Sequence, residues 1–329
     1  MKKVANIFYR EIWKKKKTIA KKSFDVIKCL YVGLKTFLGL PAENKQKIVI
    51  TDDSHTSSLN RGFFSLLREV LYIISLNGKK DIEVCYNKTV YNKKSDENIW
   101  EYCFRPILNR EENKRNYRYL FMTEPFRNPF ADRPRFLKIF HRIIEDRIRL
   151  NGIIKSKIDN FVEKNFKGKK VIGIHYRGAD TLSIAGMPNR RDWIKSPLQR
   201  YFDVTDDLLK KGFSAIFLAT DDEEGYQAFR EKYGDKIFNC SNIRSSKTAA
   251  VFNWGINKNE PPLKKTDPRE VLEESLIDCL LLAKCDYLIH GKSNLSYVSK
   301  YFNPDIPCAN MEVKKYNLIE KAENMILYS

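Results

Sequence analysis

Three apolar runs in the C-terminal half of this chain each end in a small polar cluster, and helical patterns lie between them. They are VIGIHYRGAD at Val171–Asp180, FSAIFLATDDEEGYQAFREKYG at Phe213–Gly234 and SLIDCLLLAKCDYLIHGKSNLS at Ser275–Ser296. Unbroken aliphatic runs bounded by turn formers read as strands buried on both faces, which constrains the chain to an α/β fold with a parallel sheet covered by helices. Such sheets bind ligands beyond the carboxyl ends of their strands. In the first run, a strand over Val171–Ile174 delivers His175 and Arg177 to its tip, and Gly178 lets the backbone turn sharply. A guanidinium is permanently charged and forks onto two oxygens, so Arg177 suits a diphosphate better than a lysine would. The plainer reading is a strand end with a surface arginine.

The second run ends a strand over Ile216–Ala219 in Thr220, Asp221 and Asp222, with a helix from about Glu223. Capping and charge at a helix start account for these residue types without any ligand. In the third, Asp278 interrupts a Leu-rich helix; it either faces solvent or is buried with a partner, since an unpaired buried carboxylate is costly. Downstream, the strand Tyr287–His290 leads through Gly291, Lys292, Ser293 and Asn294 to Ser296 at a new helix start, a ready anion site.

These three elements, in this order and spacing, resemble the motifs shared by GDP-fucose-dependent fucosyltransferases of the α1,2, α1,6 and protein O-fucosyl types. The likeness is closest to the α1,6 enzymes, including the rhizobial nodulation enzyme, and runs from about Lys170 to Pro307. The N-terminal half resembles that family only loosely. The resemblance implies two Rossmann-like domains facing a cleft, the GT-B architecture, and transfer without a bound metal. It implies Arg177 on the donor β-phosphate with His175 beside the nucleotide, and Asp180 as the acidic residue closing the motif. Gly178 stands where many members carry a second arginine. The loop Thr220–Asp222 would border the nucleotide, Asp278 would accept from guanine N1 and its exocyclic amine, and Ser293, Asn294 and Ser296 would form the phosphate loop. Lys292 adds a charge that the family does not require.

The general base does not carry over. The α1,6 enzymes place a Glu ten residues after the motif His, and here that position is Ala185. Inversion needs a carboxylate or the diphosphate itself to take the acceptor proton. The candidates are Asp52, Asp53, Glu124 and Asp192, and nothing in the sequence ranks them. Asn60, Arg61 and Gly62, in a Gly-containing turn after the first strand, face the acceptor side of the cleft or simply enter a helix.

A chain of 329 residues is expected to form two domains. The division falls near Asn165–Lys170: a basic segment 1–46, an α/β domain 47–167, a donor-binding domain 168–310, and a terminal helix within 311–329 that packs back across the junction. In the first of these domains Lys47–Thr51 and Asp81–Tyr86 read as strands, and Phe63–Leu76, Asn98–Phe104, Arg135–Leu150 and Ser156–Phe166 as helices, with a Pro-punctuated loop before Arg135.

Net charge is +19, and Met1–Lys47 alone holds thirteen Lys or Arg against Glu11, Asp25 and Glu43, a net +10. Phe24, Ile27, Leu30, Leu34 and Phe37 recur at helical spacing with lysines interleaved, a pattern that fits an anionic membrane surface or a helix packed on the next domain. Nucleic acid is not expected as a partner, for no recognised nucleic-acid motif occurs. With no apolar span and no signal sequence, the expected site is the cytoplasmic face of the cell membrane, bound peripherally. The seven cysteines are scattered and odd in number, as in reduced core thiols, and neither they nor the four histidines have metal-ligand spacing.

The expected activity is therefore inverting transfer of L-fucose from GDP-β-L-fucose to a glycan or glycolipid acceptor, in building a bacterial surface polysaccharide. Guanine and diphosphate contacts do not see the hexose, so another GDP-sugar is the first alternative. A non-catalytic nucleotide-sugar-binding or polyanion-binding protein is the second.

Overall fold

The computed structural model describes residues 47–51, 62–77, 81–87, 89–92, 97–107, 117–121, 134–177, 197–240, 267–291 and 293–311. The helix expected within 1–46 lies outside them, as do residues 312–329 of the segment expected to hold the terminal helix, and Asp52, Asp53, Asn60, Arg61, Glu124, Gly178, Asp180, Asp192 and Lys292.

The chain is mixed α/β with two parallel sheets. The first has three strands, β1 (Lys47–Thr51), β2 (Ile82–Cys85) and β3 (Tyr117–Phe121), in the order β2-β1-β3. Its helices are α1 (Phe63–Asn77), α2 (Ile99–Cys103) and α3 (Pro134–Arg147). Helix α4 (Gly152–Asn165) leads into the second sheet. That sheet holds β4 (Val171–Tyr176), β5 (Ala215–Thr220), β6 (Ile237–Phe238), β7 (Tyr287–His290) and β8 (Cys308–Asn310), in the order β6-β5-β4-β7-β8. Among the described residues, four helices connect them: α5 (Leu198–Lys210), α6 (Glu223–Tyr233), α7 (Pro268–Ala283) and α8 (Asn294–Phe302).

Local chemistry sets several helix starts. Asn98 accepts from the Trp100 N–H at 3.1 Å, Asn151 from Ile153 at 3.0 Å and Asp267 from Arg269 at 2.9 Å, with Pro268 at the first helical position. Each such cap is worth about 1 kcal/mol.

Every residue of β4 and β5 is buried, as the unbroken apolar runs require. Their side chains alternate between two cores. Val171, Ala215, Phe217 and Ala219 face α7, while Ile172, Ile174, Tyr176, Ile216 and Leu218 face α5 and α6. The first core continues from β1 and α1 through to α7 and α8, so the two sheets share one apolar interior. Helix α4 belongs to this layer, with Phe161 and Phe166 edge-on to the ring of Phe217 at 5.6 and 5.7 Å. Gly173 lets α7 come this close, because a Cβ there would stand 2.9 Å from Cys285 Sγ and 3.1 Å from Leu282 Cδ2.

Candidate active site

Strand β4 lies at the centre of the second sheet. From it the chain proceeds outward through β5 and β6 on one side, then returns to lay β7 and β8 on the other. Connections therefore leave β4 and β7 in opposite directions, which makes the carboxyl ends of these two strands a topological switch point, the place where open α/β sheets bind ligands. His175 and His290 are register partners across this switch point, and Arg177 and Ser293 come just after the two strands.

The strand beneath Arg177 runs to Tyr176, two residues beyond the sequence reading, so His175 lies inside the strand and not at its tip. It is buried, and its Nδ1 stands 2.6 Å from Ser296 Oγ. Ser296 is fully enclosed and serves here as the partner of His175, one turn into α8. Ser293 occupies the N-cap of α8, where its Oγ accepts from the Leu295 N–H at 3.3 Å. The Nη1 of Arg177 donates to the same oxygen at 3.5 Å, which brings the first and third motifs together. Asn294, the next residue, accepts from Nη1 of Arg68, which reaches over from α1.

The end of β5 is also built inward. Thr220 is buried and its Oγ1 accepts from the Asp222 N–H at 3.1 Å. Asp222 has N-cap backbone geometry at the start of α6, but its side chain makes no capping hydrogen bond and is only 1% exposed. Capping therefore does not account for that carboxylate. Asp221 is half-buried beside it. The ring of Tyr176 fills the first turn of α6, where a Cβ on Gly225 would fall 2.4 Å from Tyr176 Cε1.

Asp278 is 5% exposed, within an unbroken buried stretch from Leu276 to Ala283, which excludes the solvent-facing reading. The thiol of Cys240, just past β6, is pushed up to about 12 by burial and then by the charge of Asp278. The carboxylate is thus felt at the carboxyl end of β6, on the far side of β5 from Arg177.

The first sheet contributes its own edge. Tyr91, in the 3-10 turn Val90–Asn92, is buried and its hydroxyl accepts from the Phe63 N–H at 3.2 Å, at the start of α1. Burial pushes this phenol up to about 12, and the positive charge of Arg177 acts in the opposite direction. Gly62, half-buried, stands immediately before α1, so it lies at the same end of the molecule as Arg177.

None of the described cysteines forms a disulfide. Cys103, Cys279 and Cys285 are buried, Cys85 and Cys240 half-buried, and Cys308 is exposed on the edge strand instead of embedded as its sequence context suggested. Among the described residues no group of three His, Cys, Asp or Glu is arranged to hold a metal ion, and no helix is long and apolar enough to cross a membrane.

Arg68 is the site residue that sequence reasoning missed. It is a single cation in an amphipathic helix, and its partner Asn294 is 226 positions away. Spacing carries no signal at that range.

No protein-family model matches this chain, and no curated protein matches it by sequence. Among solved structures it is similar to NodZ α1,6-fucosyltransferase soaked with GDP-fucose, at 15% identity and a TM-score of 0.48, over 79% of this chain and 94% of that one. A structure of fucosyltransferase NodZ from Bradyrhizobium gives 16% and 0.48 over 83% and 98%. POFUT1 in complex with GDP-fucose gives 11% and 0.39 over 83% and 75%.

Proposed function

We infer that the chain is a glycosyltransferase of two Rossmann-like domains that moves L-fucose, with inversion and without a bound metal, from GDP-β-L-fucose to a glycan. The single observation that carries this reading is the meeting of Arg177 and Ser293, 3.5 Å apart, from strand ends on either side of the switch point. A guanidinium beside a helix N-terminus offers a leaving diphosphate fixed positive charge and fixed donors, which take up the charge that develops as the glycosidic bond breaks. The motif resemblance supports guanine as the base, since Asp278 is a buried carboxylate on an otherwise apolar helix and accepts two N–H bonds from guanine in this reading. His175 and Ser296 sit under the site and hold α8 to β4.

The acceptor in this account is an intermediate of a bacterial surface polysaccharide. The basic segment 1–46 holds the enzyme to the anionic cytoplasmic face of the membrane. The base that takes the acceptor proton is drawn from Asp52, Asp53, Glu124 and Asp192. The experiment is release of GDP from GDP-fucose with and without candidate glycan acceptors, in EDTA. Turnover by the wild type that Arg177→Ala abolishes is the expected result. Equal release of GDP by both proteins contradicts it.

A further inference from the structure

Arg68 lies in α1, in the N-terminal half, yet its side chain runs along one face of α8. Its Nη1 donates to Asn294 Oδ1, its Nε donates to Tyr301 Oη at 3.1 Å, and its Cζ lies 5.2 Å from the centre of the Tyr297 ring. Positions 294, 297 and 301 follow an i, i+3, i+7 spacing, a single stripe of the helix. These partners are an amide, a phenol and an aromatic face, all neutral, although Arg68 as a residue is half-buried. A charge held on a half-buried side chain is usually matched by an opposite one.

Among the described residues, the helix end itself does not supply that match. The N-terminus of a helix carries partial positive charge, so a cation beside it is unfavourable unless an anion is present as well. Arg177 adds another, at Ser293, the residue immediately before Asn294. Two guanidiniums therefore address consecutive residues of one helical turn, from β4 in the second sheet and from α1 beside the first. A ligand with more than one negative charge suits a turn addressed by two guanidiniums, and a nucleoside diphosphate has that charge.

Resting on the donor site proposed above, we propose that Arg68 is a positioning residue of the diphosphate site. Acting through Asn294, it holds the first turn of α8 in place so that the β-phosphate meets that turn and Arg177 together. The N-terminal half then takes part in donor binding without touching the nucleotide base, and its packing against α8 sets the strength of the phosphate contact.

The ratio of GMP to GDP dissociation constants isolates the β-phosphate. It is measured by calorimetry in EDTA on the full chain and on Arg68→Met, Arg68→Lys, Asn294→Ala, the double variant Arg68→Met with Asn294→Ala, and Tyr102→Phe. Tyr102 donates to Glu273 at 2.6 Å, another contact between the two halves that is separate from α8. Arg68→Met should shrink the ratio about tenfold, within the usual span of coupling between sites. The same substitution should have no further effect once Asn294 is Ala, and Tyr102→Phe should leave the ratio unchanged. Should Arg68→Met not fold, Arg68→Lys keeps the stem and charge but lacks the fork, and the ratio should fall again. A ratio unchanged in the Arg68 variants, or one that falls equally in Tyr102→Phe, overturns the proposal while leaving the donor site intact. Absence of GDP binding by the wild type overturns the donor site itself.

Discussion

The imidazole Nδ1 of His175 and the hydroxyl of Ser296 are 2.6 Å apart in the closed space between β4 and α8. This hydrogen bond joins the strand that carries Arg177 to the helix whose N-cap meets it. Ser296→Ala removes this hydroxyl from a buried hydrogen bond, so it should cost about 1–3 kcal/mol of unfolding free energy. Urea denaturation monitored by circular dichroism measures the difference.

Gly173 and Gly152 make opposite predictions for the same substitution. Alanine at 173 places its Cβ 2.9 Å from Cys285 Sγ, whereas at 152 nothing lies within 4 Å. Gly173→Ala should lose about 1–3 kcal/mol through overpacking. Gly152→Ala should be neutral or gain up to about 1 kcal/mol. Parallel melts of the two variants test the close approach of α7 to β4.

Glu273 gathers three elements, since it accepts from Tyr102 at 2.6 Å and pairs with Lys157 of α4. Burial alone would raise its carboxyl, but the hydrogen bonds from Lys157 and Tyr102 outweigh it and hold the group below its ordinary range. A carboxyl depressed in the folded state contributes stability above its unfolded value, about 4.3, and loses it as pH falls through the folded one. Glu273→Gln should therefore be less stable than wild type at pH 7, with the gap narrowing as pH falls below about 4.3. A gap that stays constant as pH is lowered would point to packing in place of charge.

Asp278 gives the base its identity in this account. Asp278→Asn keeps the shape but replaces an acceptor-only carboxylate with a group that both donates and accepts. GDP affinity should fall about 10²-fold, in line with loss of one partner from a buried charged hydrogen bond. The weak binding of UDP should not change. Competition between the two nucleotides reads both numbers from one protein.

Much of the second sheet was legible in the sequence because β4, β5 and β7 are buried on both faces and so leave unbroken apolar runs. Strands β6 and β8 were not, for they have two and three residues and lie at the sheet edges, too short for any periodicity. Strand β3 was missed because Arg118 breaks its apolar run. Helix α4 starts four residues earlier than its periodicity suggested, where Asn151 caps it. Within the site, Arg177, Ser293 and Asp278 were visible as polar residues at the ends or middle of apolar runs. The burial of Asp222 was not, because Asp at a helix start has an adequate local explanation. Arg68 was invisible because only the packing of α1 on α8 gives it a role.

The central claim is a guanine-diphosphate site organised by Arg177. Calorimetric titration with GDP, GDP-fucose, GDP-mannose and UDP-glucose in EDTA, on wild type and on Arg177→Ala, tests it most directly. The account predicts metal-free binding of the guanine nucleotides, weak or no binding of UDP-glucose, and loss of about 10²-fold or more in the variant. Failure of the wild type to bind any guanine nucleotide, or equal binding by Arg177→Ala, would contradict it.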